Sequence, residues 1–420
     1  MSGLPTLRIA TAGSVDDGKS TLIGRLLHDT SAVLDDQLRA VERASRRWGD
    51  GGLNLALLTD GLRAEREQGI TIDVAHRYFS TPRRSFVVAD SPGHAQYTRN
   101  MVTAASMADV AIVLVDARRG VVEQTRRHAF VAALVGVGRI VLAVNKMDLI
   151  GWDDADFRSI AKGLTEYVEA LPAPPPVDAV PISALHGDNV VALSARSPWY
   201  DGPPLLELLE QAARRPVPSV GARLDVQWCI RHGASDYRGV AGRLTGGPLS
   251  IGDPVSIAPG GTATTVAGID RAGRPLDTAE PGQAVTVVLA DDVDVARGDV
   301  VLGVAGLDRP IATTEVCADV CWMTETPLVT GGRLLFKHGT RAGTATVTGI
   351  DHRVDVGTLE RSPVDRLELN DLGRVNLSLS TPIVASPYRV HAESGRLVLI
   401  DAADHATAAA AMIHELEPAS

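Results

Sequence analysis

Apolar and polar positions follow two different patterns along this chain. Over residues 1–215, short unbroken apolar runs alternate with segments in which apolar residues recur at helical spacing, as in residues 124–136. Unbroken runs are typical of strands buried on both faces, and their alternation with helices is typical of a parallel sheet. The pattern predicts an α/β domain over residues 1–215. Its strand-like runs are LRIATA (7–12), RSFVVADSPG (84–93), VAIVLVDAR (110–118), RIVLAVNKMD (139–148) and a short run at 179–183.

The pattern changes after residue 219. Short β-like runs are now separated by Gly, Pro and Asp at intervals of roughly 8–12 residues, which is typical of small β-barrels or sandwiches. Two such blocks predict one β-barrel over residues 219–305 and a second over residues 307–402. RRPVPSV (214–220) is predicted to be a linker because proline interrupts helices. We expect the tail, residues 403–420, to form a short helix or to be disordered.

Composition narrows the class of protein. The 420 residues carry a net charge of −10 and three cysteines. Tight nonspecific binding to nucleic acid depends on excess Lys and Arg, so we expect no nucleic-acid partner. No apolar run reaches membrane-spanning length, and MSGLPTLRIATAG lacks the pattern of a signal peptide. So few cysteines favour reduced thiols, which predicts a cytoplasmic protein, and the lack of a long apolar run predicts no membrane partner. Cys317 and Cys321 have no second Cys/His pair nearby, so a buried apolar role is favoured over a metal site.

The stretch GSVDDGKS, Gly13 to Ser20, has the spacing of a phosphate-binding loop. Gly13 and Gly18 allow backbone conformations that a Cβ would block, so that loop N–H groups can surround phosphate oxygens. Lys19 is predicted to reach the β- and γ-phosphates, and the hydroxyl of Ser20 to ligate Mg²⁺. A predicted strand precedes the loop and a predicted helix follows it, which is the setting such a loop requires.

Two further segments fit the phosphate end of a nucleotide site. Asp90 in DSPGH follows an apolar strand, where a carboxylate can hold Mg²⁺ through water. Gly93 is predicted to bring its N–H to a γ-phosphate, and His94 to position a water. A histidine alone would be read as a solvent-facing loop residue, but its neighbours favour the catalytic interpretation. Thr71 in EREQGITID is predicted to complete the Mg²⁺ shell, although ITIDVAHRYF also fits a plain strand.

NKMD, residues 145–148, ends another apolar strand and indicates a guanine base. Asp148 can accept hydrogen bonds from the N1–H and exocyclic amine of guanine, whereas adenine presents the wrong edge. Asn145 is predicted to bond the other edge of the purine, and Lys146 to lie over the ring. In ISAL, residues 182–185, backbone N–H groups and Ser183 are predicted to bond the guanine carbonyl.

These five motifs, in this order and followed by two β-blocks, resemble the translation-factor GTPases of the elongation factor Tu class over nearly the whole chain. The phosphate loop has Ser14 and Asp17 where the elongation factors usually have histidines. Within that class the chain resembles the GTPase subunit of bacterial ATP sulfate adenylyltransferase. The stretches that carry this second resemblance are residues 58–81, 90–128, 143–149 and 182–190.

The resemblance implies a P-loop GTPase domain followed by two antiparallel β-barrels. It implies GTP and Mg²⁺ as cofactors, and a partner, a small catalytic subunit that resembles ATP pyrophosphatases. GTP hydrolysis would drive ATP and sulfate to adenosine 5'-phosphosulfate and diphosphate. The implied roles are a metal site at Ser20, Thr71 and, through water, Asp90; a catalytic His94; and an apolar gate of Val15 and Ile70. The implied nucleotide contacts are Gly13, Ser14, Val15, Asp16, Asp17, Gly18, Lys19, Ser20, Thr21, Asp90, Ser91, Pro92, Gly93, His94, Asn145, Lys146, Met147, Asp148, Ser183, Ala184 and Leu185.

The chief alternative is a translation elongation factor that delivers aminoacyl-tRNA, and a third is a stand-alone regulatory GTPase. The loop GSVDDGKS and the segment DVAHRYFS after Thr71 favour the sulfate enzyme, whereas the β-blocks fit all three. Ser91 stands where threonine is usual in the family. Some relatives fuse a kinase for adenosine phosphosulfate, and without a second phosphate loop we expect no such activity here.

Overall fold

The fold of this chain is described from a computed structural model. The structure describes residues 4–33, 36, 38–39, 41, 43, 45, 54–58, 74–92, 98–214, 220–231, 237–304 and 310–416. They form two compact units, one of Met1–Pro216 with Val356–Leu359 and the other of Val217–Asp355 with Glu360–Ser420. Most of the predicted linker lies outside the described residues.

A six-stranded sheet forms the centre of the first unit, in the order β2-β3-β1-β4-β5-β6. All neighbouring strands are parallel except β2, which is antiparallel to β3. Every residue of β4 is buried, as expected of a central strand covered on both faces. The strands are β1 (Leu4–Ala12), β2 (Ala75–Ser80), β3 (Arg84–Asp90), β4 (Val110–Asp116), β5 (Arg139–Asn145) and β6 (Val177–Pro181).

Helices in the first unit pack an apolar face against its core. In α1, for example, Leu22, Ile23 and Leu26 recur at helical spacing and are buried in the same core as Ile9 of β1. The helices are α1 (Lys19–Asp29), α2 (Thr98–Ser106), α3 (Glu123–Leu134), α4 (Asp154–Glu169) and α5 (Leu205–Gln211), with 3₁₀ turns at Leu55–Leu58 and Met147–Ile150. Within the described part of the chain, no helix is both long and apolar enough to cross a membrane.

The register of the sheet gathers polar residues at the carboxyl ends of its strands. Thr11 of β1 pairs with Asp90 of β3, and Asp116 of β4 pairs with Asn145 of β5. Ligands bind at this edge in open parallel sheets. The topology alone therefore brings three of the sequence motifs to one place.

Two closed six-stranded antiparallel barrels form the second unit. The first has the order β10-β15-β7-β8-β14-β11, closed by pairing of β10 with β11, and it surrounds its own core. The strands of this part are β7 (Arg223–Arg231), β8 (Arg238–Thr245), β9 (Leu249–Ser250), β10 (Pro254–Ala258), β11 (Thr262–Arg271), β12 (Arg274–Leu276), β13 (Thr278–Ala279), β14 (Ala284–Leu289) and β15 (Val300–Gly303).

The second barrel has the order β18-β23-β24-β16-β22-β19 and is closed by pairing of β18 with β19. With it, the prediction of an α/β domain followed by two antiparallel β-barrels is confirmed. The strands of this part are β16 (Ile311–Trp322), β17 (Leu328–Val329), β18 (Arg333–His338), β19 (Arg341–Val354), β20 (Arg361–Ser362), β21 (Arg366–Leu367), β22 (Leu372–Ala385), β23 (Arg396–Ile400) and β24 (Thr407–Leu416).

The expectation for the C-terminal tail, residues 403–420, is wrong. Residues 407–416 form β24, which pairs with both β16 and β23 and is needed to close the second barrel. The run of alanines in this segment has a high helix propensity, but propensity is a weak preference that tertiary pairing overrides. Ala408, Ala409 and Ala411 are fully buried, because small side chains fit the interior of the barrel there.

Candidate nucleotide site

The loop between β1 and α1 has the conformation that a phosphate-binding loop needs. Gly18 has φ 96°, a left-handed conformation, and it directly precedes the first residue of α1. A β-carbon on Gly18 would lie 2.4 Å from Nδ2 of Asn145, and one on Gly13 would lie 3.1 Å from Cβ of Leu114. Glycine is therefore required at Gly18 on two grounds, backbone conformation and space.

The polar groups of this loop suit an anion. Lys19 is buried, and its Nζ donates to the carbonyl oxygens of Gly13 (2.7 Å) and Ser14 (3.1 Å). Burial lowers the pKa of Lys19, although the nearby carboxylates of Asp90 and Asp17 oppose that shift. Among the described residues, Ser14 Oγ is one of the buried polar atoms that lack a hydrogen-bond partner. A buried ammonium, an unpartnered hydroxyl and a helix N-terminus form a donor set that fits phosphate oxygens.

Asp17 stabilises the loop through two hydrogen bonds to Ser14. Its Oδ2 accepts a hydrogen bond from the backbone N–H of Ser14 at 2.6 Å, and its own N–H donates to the Ser14 carbonyl at 3.3 Å. Burial raises the pKa of Asp17, while the Ser14 hydrogen bond and Lys19 oppose the increase. The two positions at which this loop departs from the elongation factors therefore interact with each other.

Asp90 lies at the carboxyl end of β3 and is almost fully buried. The hydroxyl of Thr11 donates to Asp90 Oδ1 at 3.1 Å, and the hydroxyl of Ser91 donates to the Thr11 carbonyl. These bonds orient the carboxylate beside the phosphate loop.

Ser20 and Thr21 lie in the first turn of α1, and Pro92 is buried. Four predicted residues, Ile70, Thr71, Gly93 and His94, lie outside the described part of the chain.

Asn145 and Lys146 hold two consecutive carbonyl groups of the phosphate loop. Asn145 Nδ2 donates to the carbonyl of Asp17 at 2.7 Å, and Lys146 Nζ donates to the carbonyl of Asp16. Lys146 has φ 65° and begins the 3₁₀ turn that contains Met147. An amide nitrogen carries two hydrogens, so this bond is compatible with the base contact predicted for Asn145. The motif predicted for the base thus also shapes the loop predicted for the phosphates.

Hydrogen bonds connect the ISAL segment to NKMD. Ile182 accepts from Met147 N–H at 3.2 Å, and Ala184 N–H donates to Asn145 Oδ1 at 2.9 Å. Ser183 N–H donates to the Asp188 carbonyl at 3.2 Å. In this conformation the N–H groups of Ser183 and Ala184 both donate within the protein. The contact of this segment with a guanine carbonyl stays a prediction.

The other residues predicted to contact the base include Asp148 and Leu185, which follow the carboxyl ends of β5 and β6. The carboxylate of Asp148 is largely buried, and its Oδ2 lies 3.8 Å from Nε2 of His186. The side chain of Leu185 is 58% exposed. The ranges 13–21, 90–92, 145–148 and 183–185 therefore all belong to the carboxyl edge of the sheet.

Two residues of the site were missed in the sequence. Asp116 ends β4 beside Asn145 and forms an ion pair with Lys146 at 3.0 Å. A carboxylate at the end of a buried strand was the available signal. Arg25 of α1 donates from Nε to the Ala184 carbonyl at 3.2 Å and from Nη2 to the Leu185 carbonyl. No local pattern marks this arginine, since its partners lie far along the chain.

Comparison with known proteins agrees with this geometry. The family model described as Elongation factor Tu GTP binding domain matches residues 4–215, and the model GTP-eEF1A C-terminal domain-like matches residues 315–414. The sulfate adenylyltransferase subunit 1 of Methylorubrum populi is 48% identical over 418 residues, which cover 99% of this chain and 88% of that relative. The chain belongs to the sulfate adenylyltransferase subunit 1 family.

A second curated protein and a solved structure are also similar to this chain. The bifunctional enzyme CysN/CysC of Mycobacterium tuberculosis is 49% identical over 415 residues, which cover 97% of this chain and 67% of that relative. A crystal structure of sup35 complexed with GDP aligns over 99% of this chain and 95% of that chain, with 23% identity and a TM-score of 0.44. The predicted membership of a sulfate adenylyltransferase, as an enzyme subunit with a GTP-binding domain, is confirmed by the family.

Proposed function

We propose that this chain is the GTP-hydrolysing regulatory subunit of a sulfate adenylyltransferase. In this role, hydrolysis of GTP drives the conversion of ATP and sulfate to adenosine 5'-phosphosulfate and diphosphate on a separate, small catalytic subunit. Family membership supports a GTPase subunit of sulfate activation. The division of labour between two subunits, and the identity of the small one as an ATP-pyrophosphatase-like protein, rest on the family resemblance.

One observation carries the nucleotide part of the proposal. Asn145 and Lys146 bond the carbonyl groups of Asp17 and Asp16, so that the predicted base site and the predicted phosphate site form a single structure. Asp148 follows on the same turn. A guanine nucleotide would thus span from Asp148 at its base to the buried Lys19 at its phosphates.

The metal proposal rests on the donor set beside the loop. Ser20 and Thr71 would hold Mg²⁺, with Asp90 acting through a water, and the carboxylate of Asp90 is oriented by Thr11. Hydroxyl and carboxylate oxygens are the ligands that Mg²⁺ prefers, with water completing its shell. When bound, the ion would neutralise the charge of the β- and γ-phosphates. Asp90 also lies close enough to Lys19 to oppose the lowering of its pKa.

For the hydrolytic step, the chain supplies positioning rather than covalent chemistry. Lys19 and the N–H groups at the start of α1 would stabilise charge on the phosphate oxygens. His94 would orient the attacking water, with Val15 and Ile70 as the apolar residues that flank it. Of these three residues only Val15 lies in the described part, where its carbonyl oxygen is 3.5 Å from Nη1 of Arg119.

Coupling to a partner has a thermodynamic reason. The phosphosulfate anhydride is high in energy, so its formation from ATP and sulfate is uphill unless a second reaction is coupled to it. A GTPase whose conformations with GTP and GDP bind the small subunit differently can bias the active site of that subunit. The acidic chain, at net charge −10, supplies no general attraction for nucleic acid, in keeping with a protein partner.

The proposal is tested by measuring GTP turnover with the candidate small subunit, with and without ATP and sulfate. We expect adenosine phosphosulfate to form and GTP turnover to rise only when all components are present. GTP hydrolysis without any phosphosulfate would contradict the proposal and favour the translation-factor alternative, for which aminoacyl-tRNA binding is the next assay. In the same assay, Lys19→Ala should lose GTP turnover because it removes the predicted phosphate-binding ammonium. Its matched control is Lys162→Ala, which changes an exposed lysine on α4 and should keep GTP turnover.

A further inference from the structure

Asp116 is a buried carboxylate beside the nucleotide site. It is the last residue of β4, a strand in which every residue is buried, and it pairs in register with Asn145. Only 2% of its surface is exposed. A buried charge in such a place is costly unless it is bonded, so its partners are informative.

The carboxylate of Asp116 accepts hydrogen bonds from two residues, Arg118 and Lys146. Arg118 contributes three of them, from its backbone N–H (3.0 Å), Nε (3.0 Å) and Nη2 (2.6 Å). Lys146 contributes the fourth from Nζ, at 3.0 Å. Burial alone would raise the pKa of Asp116, but the bonds from Arg118 and Lys146 outweigh it and hold that pKa well below its usual range. Asp116 is therefore an anion at neutral pH.

Lys146 is fixed at both ends. Its backbone takes a left-handed conformation, φ 65° and ψ 33°, at the start of the 3₁₀ turn. Its ammonium lies between the carbonyl of Asp16 and the carboxylate of Asp116. A lysine side chain loses rotamer entropy when it is ordered, and these two contacts order Lys146 before any ligand binds. The aliphatic stem becomes a preformed wall at the place predicted for the base.

We propose that Asp116 is a positioning residue for the nucleotide: it anchors the ammonium of Lys146 so that the lysine stem is held in place over the base. Arg118 completes the arrangement by fixing the orientation of the Asp116 carboxylate through a two-pronged contact. Asp116 has this role only if the chain binds a guanine nucleotide as proposed above. In this role Asp116 acts through Lys146 and not on the nucleotide itself.

The test is a double-mutant cycle on the dissociation rate of a fluorescent GDP analogue, measured by stopped flow. Asp116→Asn keeps the volume of the side chain but removes its charge, and Lys146→Met keeps the stem but removes the ammonium. We expect each variant to release the analogue about 10-fold faster, and the double variant to release it no faster than either one. A positioning role predicts this full coupling, which a separate structural effect of Asp116 would not produce.

Asp109→Asn is the matched control. Asp109 is a buried aspartate just before the opposite end of β4, where it accepts from the backbone N–H of Arg8 at 2.9 Å. We expect Asp109→Asn to leave the dissociation rate unchanged even where it lowers the melting temperature. If the two single-variant increases in dissociation rate multiply in the double variant, or if Asp116→Asn keeps the wild-type rate, the positioning role of Asp116 is wrong. Either result would leave the proposed function intact. Failure of the wild-type chain to bind the analogue would overturn the proposed function and this role together.

Discussion

The amide nitrogen of Asn145 occupies the space that a side chain on Gly18 would need. A β-carbon on Gly18 would lie 2.4 Å from Asn145 Nδ2, and the same nitrogen donates to the carbonyl of Asp17 at 2.7 Å. A residue placed by the sequence at the base end of the nucleotide therefore limits what the phosphate loop can contain. The two ends of the site are one packed unit rather than two independent motifs.

Gly18→Ala is expected to damage nucleotide binding. The alanine would need φ near 96° and would collide with Asn145, and together these cost a few kcal/mol at the loop. We predict guanine nucleotide affinity about 10- to 100-fold weaker by isothermal titration. Gly163→Ala is the control, because Gly163 lies exposed within α4 and an added β-carbon there would meet nothing within 4 Å. Gly163→Ala should keep wild-type affinity. Equal losses of affinity in both variants would show that the loss in Gly18→Ala is not specific to the phosphate loop.

Lys19→Ala is expected to abolish most nucleotide binding. The Lys19 ammonium is buried and donates to the neutral carbonyl oxygens of Gly13 and Ser14, so phosphate oxygens are its natural ionic partner. We predict an affinity loss of about 100-fold or more for GTP and GDP, measured by equilibrium dialysis. Lys162→Ala removes an exposed lysine that pairs with Glu166 at 3.6 Å and should bind GTP normally. GTP affinity retained in Lys19→Ala would remove this loop from the site.

Asp148→Asn should change the preferred base. A carboxylate accepts the two N–H groups of the guanine edge, whereas an amide can both donate and accept and suits the xanthine edge better. We predict that affinity for GTP falls about 100-fold while affinity for XTP rises, as read from competition with a fluorescent nucleotide. Unchanged selection of GTP over XTP would show that Asp148 does not contact the base.

Acid should weaken the second unit through buried histidines. His338 and His391 are buried; burial, then the charge of Arg223, lowers the pKa of both, that of His338 to about 4. Their unfolded forms take up a proton below about pH 6.5, whereas the folded forms resist it, so stability is lost as the pH falls from 6.5 towards 4. Each such histidine contributes a slope of up to about 1.4 kcal/mol per pH unit.

His338→Gln tests this pH dependence. Glutamine can replace the bond from His338 Nε2 to the Ser394 carbonyl, which is 2.8 Å long, but it cannot take up a proton. The urea concentration at which hydrogen-exchange protection of β22 and β24 is lost should vary less with pH in this variant. His405→Gln changes an exposed histidine and should retain the wild-type slope. An unchanged slope in His338→Gln would show that another group is responsible.

The sequence predicted the sheet well because buried parallel strands are unbroken apolar runs. The runs at residues 110–118 and 139–148 contain β4 and β5, and the short run at 179–183 overlaps β6 at Val177–Pro181. The strand at residues 407–416 was missed because its alanines favour helix locally. Only its two partners in the barrel, which lie far along the chain, specify a strand there.

The site was predictable to the extent that its residues lie in contiguous motifs. The loop Gly13–Ser20 could be recognised from its spacing. The hydrogen bond from the Ser14 N–H to the Asp17 carboxylate could not, because it depends on the folded conformation of the loop. Arg25 and Asp116 act on partners brought close by the fold, at separations of 159 and 30 residues. No periodicity or spacing in one sequence encodes such contacts.

In the proposed function, GTP hydrolysis, and not GTP binding alone, drives phosphosulfate formation. The direct measurement is the ratio of adenosine phosphosulfate to ATP reached by this chain with its small subunit, in GTP and in a non-hydrolysable GTP analogue. We expect phosphosulfate to rise far above its uncoupled level with GTP and to stay at the uncoupled level with the analogue. Equal levels with both nucleotides would contradict it.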